Sequence, residues 1–179
     1  MKKDPKKFFD IFIRYFILLL IAFPNLYFFY LIFTPLTLYP VYFLINLFFD
    51  VSLNGTSILI NSQSSIDLIP ACIAGSAYYL LLILNLSLPN VKNLKRIKMV
   101  VFSFLLLLVI NILRIFILSL FVISDSFLFD VTHKFFWYFM STIFIILIWF
   151  LEVKLFKIKE IPFYSDLKFL YKKSYFKKK

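Results

Sequence analysis

The chain has 179 residues, of which 63% are apolar, and its formal net charge is +11. A water-soluble domain of this size cannot hide so much apolar surface, so the composition excludes that class and predicts a membrane protein. A single cysteine excludes an internal disulfide and any Cys-rich metal or redox chemistry. Because there is also only one histidine, we expect no metal and no cofactor.

The positive charges are segregated along the chain. They cluster in residues 2–14, in the loop 89–98 and in the tail from residue 154 onward, and outside these clusters only Arg114 and Lys134 are basic. This is the positive-inside pattern of a membrane protein whose termini both lie in the cytoplasm. We therefore expect no nucleic-acid partner, despite the basic balance.

The apolar segments predict the elements in chain order. The run 8–33 is long enough for an uncleaved membrane anchor, kinked at Pro24. The next run, 36–49, is short and follows a proline, which predicts a helix lying in the outer interface. Asn54-Gly55, between strand-favouring residues, predicts a hairpin with a type I′ turn that is complete by residue 62. Three further helices are predicted, at about 68–88, 99–123 and 135–156.

The predicted fold is an all-α, polytopic integral membrane protein with about four transmembrane helices, an outer interfacial helix and a short β-hairpin. Residues 1–160 form one transmembrane domain, and residues 161–179 form a basic cytoplasmic tail near anionic lipid. This topology predicts a multi-pass protein of the plasma membrane with the hairpin outside. Five crossings with an external N-terminus are the alternative, but they place the N-terminal basic cluster on the wrong side.

Three unusual residues fall in the outer leaflet on three different predicted helices. Cys72 lies roughly 6 Å below the start of its helix, and Arg114 lies roughly 14 Å below the end of the next. His133 lies at the outer start of the last helix. Arginine can extend several Å toward the surface, so all three side chains can share one layer. A cation in a membrane helix costs at least ~2.5 kcal/mol, which makes Arg114 a functional candidate.

Each of the three also has a purely structural interpretation. Cys72 is a small apolar residue that packs well, His133 is an interfacial ring, and Arg114 is a structural ion pair with an outer carboxylate such as Asp130. Two neighbours are supporting candidates. Asn111, one turn before Arg114, is placed to hold the guanidinium or a substrate carbonyl, and Asp130 to orient the imidazole of His133.

A thiol, a guanidinium and an imidazole in one layer predict acyl transfer. A nearby guanidinium or imidazolium favours the thiolate, which is the reactive form of cysteine. His133 serves as general base for the thiol or as general acid toward the departing amine. Arg114 stabilises either the thiolate or the oxyanion of a tetrahedral intermediate, and the sequence leaves both roles open.

The segments IPACIAGSAYYLL, NILRIF and DVTHKFFW, in this order and topology, resemble the exosortase/archaeosortase family of membrane-embedded cysteine transpeptidases. The resemblance covers about residues 36–150. The sequence CIAGSAYY is closer to archaeal members, because bacterial members often carry Cys-Ser-Gly there. The resemblance implies that Cys72 is the nucleophile, Arg114 the essential arginine and His133 the third catalytic position.

The resemblance also implies a reaction and a class of partner. Exported proteins that end in a short motif, a transmembrane helix and a basic tail are cleaved at the outer membrane face through a Cys thioester. The acyl group then passes to a membrane lipid or another amine acceptor. Two alternatives stay open: an intramembrane cysteine protease that hydrolyses without transfer, and a non-enzymatic membrane scaffold or transporter subunit.

Overall fold

The computed structural model describes residues 5–23, 25–60, 64–124, 128–136 and 141–173, and these residues are mostly helical. The helices are α1 (Pro5–Ala22), α2 (Tyr27–Asn46), α3 (Pro70–Ile73), α4 (Gly75–Leu86), α5 (Asn93–Ile123), α6 (Leu128–Phe135), α7 (Ser141–Leu155) and α8 (Tyr164–Lys173). The strands are β1 (Val51–Asn54), β2 (Ser57–Ile60) and β3 (Ser64–Asp67). A mostly helical chain with a small β element is therefore confirmed.

The first apolar run forms two helices, which corrects the single helix predicted over 8–33. Asn25 and Leu26 have φ angles of 50° and 61°, in the left-handed region that a right-handed helix cannot contain. α1 therefore ends before them and α2 begins after them. The predicted kink at Pro24 lies outside the described residues.

α2 also replaces the interfacial helix predicted over 36–49. Pro35 and Pro40 lie inside α2, which continues through them to Asn46. Each proline removes one backbone donor from the helix. α2 nevertheless packs about one side chain per turn against the bundle, and this packing outweighs the loss. The buried residues of α2 are Phe29, Phe33, Thr37, Leu38, Val41 and Ile45.

The first and last described helices meet at one end of the bundle. On α1, the Arg14 guanidinium donates to the carbonyl of Leu86 at the end of α4 (2.7 Å) and pairs with Asp166 of α8 (3.0 Å). At a different place in the bundle, the ring of Phe48 lies 6.2 Å from the ring of Phe116, which is near the end of α5. Because α5 starts close to where α4 ends, the contacts of Arg14 and the contact between Phe48 and Phe116 lie at opposite ends of the bundle. We call the end that holds Arg14 and Asp166 the terminal end. We call the end that holds β1–β3 the sheet end.

The predicted hairpin is present at the sheet end, but its turn is one residue later than predicted. Asn54 is paired with Ser57, so the two central turn residues are Gly55 and Thr56. Gly55 has a φ of 63°, and Thr56 is not among the residues with positive φ. A positive φ at the first central position only is the type II′ pattern, which glycine favours there, rather than type I′.

β3 is a third strand that the sequence did not predict. It pairs antiparallel with β2, with Ile66 opposite Ile58, and the strand order is β1-β2-β3. Ile58 and Ile66 lie on the face that packs against the helices, whereas Ser65 and Asp67 lie on the exposed face. This alternation fixes the register, because a slip of one residue would expose the apolar face.

The helix predicted over 68–88 begins at Pro70 and is interrupted at Ala74. Pro70 occupies the first turn, where its missing N–H costs nothing, and Ala74 adopts φ 60° and ψ 38°. α3 is consequently a single short turn ahead of α4. Gly75 lies against α2, where an added Cβ would meet the ring of Tyr30 at 2.8 Å. The small residue at 75 thus admits a neighbouring helix.

α5 is the longest helix, and it begins at Asn93 rather than near residue 99 as predicted. Its 31 residues span about 46 Å. One face is buried and mixes apolar with polar residues, among them Arg96, Ser103, Asn111 and Arg114. The opposite face exposes an apolar stripe comprising Leu94, Ile97, Val101, Leu105, Val109, Leu113 and Ile117. α2 and α5 are both long and apolar enough to cross a membrane, and Pro70–Leu86 is a shorter apolar stretch.

The last helix predicted, 135–156, contains α7, which runs from Ser141 to Leu155. α6 ends at Phe135, and residues 137–140 lie outside the described residues. The predicted tail begins close to α8, which the terminal end holds through Asp166. His133 lies on α6, ahead of α7 in the chain.

Candidate functional site

A cavity of about 170 Å³ opens at the sheet end, and the three predicted catalytic residues all line it. Cys72 comes from α3, Arg114 from α5 and His133 from α6. β3 forms another wall. The remaining lining residues are Ser65, Ile66, Asp67, Ile115, Leu118, Ser119, Val122 and Phe129. Three residues far apart in sequence thus meet in one partly apolar cavity.

Cys72 is presented by the short turn that precedes the interruption at Ala74. Its thiol is free, and the residue is partly buried. Because α3 stops at Ile73, no backbone N–H among the described residues bonds the carbonyl of Cys72. The side-chain amide of Asn111 donates to that carbonyl at 2.8 Å instead. α5 therefore fixes the position of the turn that carries the thiol.

This contact gives Asn111 a role that the sequence did not predict, because one amide N–H of Asn111 binds the backbone of Cys72. Its predicted role, to hold the guanidinium of Arg114 or a substrate carbonyl, stays a prediction. The physical reason is the interruption at Ala74, which leaves a buried carbonyl that must find a donor. Asn111 is therefore a positioning residue for the thiol.

Arg114 is 7% exposed and lies on the inner face of α5. One of its terminal nitrogens donates to Ser141 Oγ at 3.3 Å, and Ser141 in turn donates to the carbonyl of Phe136 at 2.8 Å. Its Nε has no hydrogen-bond partner among the described residues. Arg114 and Cys72 line the same cavity. A buried cation with a spare donor therefore shares the cavity with the thiol.

Arg114 also lines a second cavity, of about 320 Å³. Most of the other residues that line this second cavity are small or carry a hydroxyl group. They are Ala71, Ala74, Ser76, Ala77, Ser141 and Thr142, together with Leu80 and Ile145. Arg114 consequently lines both cavities.

His133 stacks on Phe129, one turn earlier in α6, with ring centroids 5.4 Å apart and planes inclined by 8°. This stacking holds one face of the imidazole while its edge remains part of the cavity lining. Asp130 belongs to α6, but its side chain lies outside the described part, so its predicted orienting role stays a prediction.

Sequence reasoning missed the polar cavity residues on β3 and one polar cavity residue on α5. Ser65 and Asp67 were not placed there because no strand was predicted after the hairpin. Ser119 lies on the same buried face of α5 as Arg114, but it donates to its own helix at the carbonyl of Phe116 (2.6 Å). Its position on that face was the only available signal. Among the described residues, no three His, Cys, Asp or Glu side chains converge as metal ligands.

Comparisons with protein-family models, curated proteins and solved structures find no match to this chain. The chemistry of the site therefore has to be argued from its own geometry.

Proposed function

We propose that the protein is a membrane-embedded cysteine transpeptidase of the exosortase/archaeosortase kind. The observation that carries the proposal is the convergence of Cys72, Arg114 and His133 on one cavity. The three residues come from three separate helices, and each supplies a different group that acyl transfer requires. The resemblance to the family motifs assigns the same three residues.

The reaction begins when the imidazole of His133 takes the thiol proton of Cys72. The thiolate attacks the carbonyl carbon of a substrate peptide bond, and the carbonyl electrons move onto oxygen. Arg114 stabilises the thiolate first and the oxyanion next, because it lines the same cavity as Cys72 and keeps a spare donor at Nε. Collapse of the tetrahedral intermediate reforms the carbonyl and breaks the C–N bond. The departing amine takes its proton from the His133 imidazolium, leaving a thioester.

The second half of the reaction resolves the thioester. An amine acceptor attacks its carbonyl carbon and gives a proton to His133, and the sulfur leaves as the new amide bond forms. If water attacks instead, the product is a carboxylate and the enzyme is a protease. The proposed acceptor is an amine-bearing membrane lipid or a similar amine at the membrane surface.

The spacing of two buried arginines supports a membrane-crossing orientation. Arg96 and Arg114 lie on the same helix about 27 Å apart, close to the ~30 Å thickness of a hydrocarbon core. A bilayer in this position places each guanidinium near one boundary, where a cation is least costly. The exposed apolar stripe of α5 then faces lipid. We propose that the terminal end is cytoplasmic and the sheet end external, in accord with the basic clusters.

The substrates proposed are exported proteins whose C-terminal region holds a short motif, an apolar helix and a basic tail. A substrate helix that leaves the bilayer at the sheet end would bring its outer end to the layer of Cys72. The scissile bond then lies in the extended segment outside that helix.

The decisive experiment compares membrane-protein C-termini in cells that carry wild-type protein or the Cys72→Ala variant. We expect proteins with the three-part C-terminal region to accumulate uncleaved in the variant, at wild-type levels of the folded enzyme. Unchanged processing would refute the proposal and favour a scaffold. Hydroxylamine added to wild-type membranes should trap the thioester as a hydroxamate on the substrate.

The same experiment separates transfer from hydrolysis. Mass spectrometry of the new C-terminus should show an amide-linked acceptor if the protein is a transpeptidase. A free carboxylate, with Cys72 still required, would assign the intramembrane protease reaction instead.

A further inference from the structure

β3 lies at an edge of the sheet and beside the cavity that holds Cys72. Its only neighbour in the sheet is β2, and residues Ser65, Ile66 and Asp67 line the cavity. Ile66 packs against the hydrophobic core, and β3 also contacts α5. The strand's other edge is unpaired in the sheet, and β3 borders the cavity that Cys72 lines.

The pairing pattern shows which backbone groups point outward from that edge. The N–H of Leu68 donates to the carbonyl of Thr56 at 3.1 Å, and in an antiparallel ladder the bonded residues alternate. Ile66 and Ser64 therefore also bond toward β2, whereas the backbone groups of Ser65 and Asp67 point away from it. The carbonyl of Asp67 accepts from Ile69, so three outward groups are left.

These three groups are the N–H and C=O of Ser65 and the N–H of Asp67. In the described part of the chain, none of them bonds to another backbone group. Both residues are exposed. Unpaired edge groups of this kind are a template for an added strand.

We propose that the extended segment of the substrate, next to its scissile bond, binds as a fourth strand on β3. This inference rests on the proposed function and adds how the substrate is presented. Main-chain hydrogen bonds to Ser65 and Asp67 hold the segment in an extended form, and alternate side chains enter the cavity. Because Cys72 lines the same cavity, strand addition brings a backbone carbonyl within reach of the thiol. Recognition through the main chain also tolerates varied substrate sequences.

The test removes one outward N–H without touching the pairing of β2 with β3. Ser65→Pro deletes a donor that the ladder does not use, and proline is accepted on edge strands where its nitrogen faces outward. The matched control is Leu53→Pro on β1, whose nitrogen faces outward from the opposite edge of the sheet. The probe is the set of exported proteins that accumulate uncleaved in Cys72→Ala cells.

We expect Ser65→Pro to slow cleavage of this probe about tenfold or more, while Leu53→Pro stays close to wild type. Alkylation of Cys72 by iodoacetamide in both purified variants checks that the site is intact. Wild-type cleavage by an intact Ser65→Pro protein would overturn strand addition and leave the proposed function standing. If no protein accumulates in Cys72→Ala cells, the proposed function itself is refuted.

A scan on the substrate side keeps the inference falsifiable if Ser65→Pro does not fold. Successive residues of the extended segment of one accumulating protein are replaced by proline, and cleavage by wild-type enzyme is measured. Because alternate N–H groups of an added strand face β3, we expect strong and weak inhibition to alternate along the segment. Uniform tolerance, or inhibition without alternation, would overturn strand addition.

Discussion

Arg114 is the buried charge on which the reactivity of Cys72 depends in the proposed mechanism. The guanidinium is almost fully buried, lines the same cavity as Cys72, and is anchored on one side by Ser141. In the proposed mechanism this positive charge stabilises the thiolate. Reactivity of the thiol toward a small reagent therefore reports on the site without any knowledge of the substrate.

We predict that Arg114→Met slows alkylation of Cys72 by iodoacetamide about tenfold at neutral pH, because the thiolate loses its nearby cation. The measurement is the rate of mass increase in purified protein, where Cys72 is the only thiol. Arg96→Met is the matched control, since Arg96 lies on the same helix about 27 Å away. Equal rates for the two variants would contradict the role assigned to Arg114.

The residue types predicted which side chains line the cavity, but not all of the contacts that these side chains make. Cys72, Arg114 and His133 are rare residue types in an apolar chain, so composition alone singled them out, and they line one cavity. The contact of Asn111 with the carbonyl of Cys72 was not predicted, because it depends on the backbone at Ala74. A left-handed alanine has no sequence signal, since glycine is the residue normally favoured there.

At the scale of elements, the junction between α3 and α4 sets the position of the thiol. Ala74 is in the left-handed region, and Gly75 has the ring of Tyr30 against its Cα. The two adjacent small residues therefore have different requirements. The first needs backbone freedom, and the second needs space.

We predict opposite effects of two exchanges at this junction. Ala74→Gly should leave stability unchanged or raise it by about 1 kcal/mol, because glycine adopts the left-handed conformation without strain. Gly75→Ala should destabilise by about 1–3 kcal/mol, because its Cβ overlaps the Tyr30 ring. Thermal unfolding in detergent measures both. If Gly75→Ala no longer destabilises the protein when Tyr30→Ala is also present, the ring is the cause. A fully stable Gly75→Ala would refute the overlap.

α8 is held to the terminal end by a buried ion pair. Arg14 and Asp166 are both buried, and Arg14 also donates to the carbonyls of Leu86 and Leu88 at 2.7 and 3.2 Å. The N–H of Phe163 donates to the carbonyl of Ser87 at 3.1 Å. The start of the tail is therefore fastened to α1 and to the turn after α4.

We predict that Asp166→Ala releases α8, since removing one partner of a buried pair costs about 3–5 kcal/mol. Limited trypsin digestion should then cut the lysine-rich tail much faster than in wild type. Asp10→Ala is the control, because Asp10 also pairs with Arg14 (3.1 Å) but is half exposed, so its loss should cost at most about 1 kcal/mol. Similar digestion of both variants would contradict the anchoring of α8 by Asp166.

Elements were predicted well where periodicity was strong and poorly where packing overrode it. α5 follows an apolar pattern long enough to be unmistakable, although its start at Asn93 was missed. α2 continues through Pro35 and Pro40 because its buried face packs against the bundle, which no local rule foresees. β3 is only four residues long, and its pairing with β2 is what makes it a strand.

For the whole molecule, the arrangement of the two ends makes the proposed topology testable. The hairpin turn lies at the sheet end, and the turn between α4 and α5 lies at the terminal end. If the bundle crosses a bilayer, these turns face opposite compartments. The basic residues near the second turn favour the cytoplasm.

We predict opposite labelling of two single-cysteine variants, each built on Cys72→Ser. Asn54→Cys should react with a membrane-impermeant maleimide in intact cells, because the hairpin is external. Lys92→Cys should react only after the cells are permeabilised. Both residues are exposed, so access to the reagent is not limited by burial. Labelling of both variants in intact cells would refute the proposed topology.

Composition and charge were sufficient to predict a helical chain with apolar surfaces, because both are averages over many residues. Two helices, α2 and α5, have the length and apolar character to span a membrane. The count of four crossings remains a proposal. α1 carries charged residues, and α4 and α7 are short, so hydropathy alone does not decide how they lie in the bilayer.

The separation of Arg96 and Arg114 along α5 is a fixed length that the thickness of the surrounding bilayer has to match. Both residues belong to one continuous helix, so the spacing of about 27 Å between their backbone positions is fixed. A bilayer with longer acyl chains would draw one guanidinium into hydrocarbon, or force the bundle to tilt. In the proposed orientation and reaction, the depth of Cys72, and with it the point at which a substrate is cut, is consequently coupled to membrane thickness.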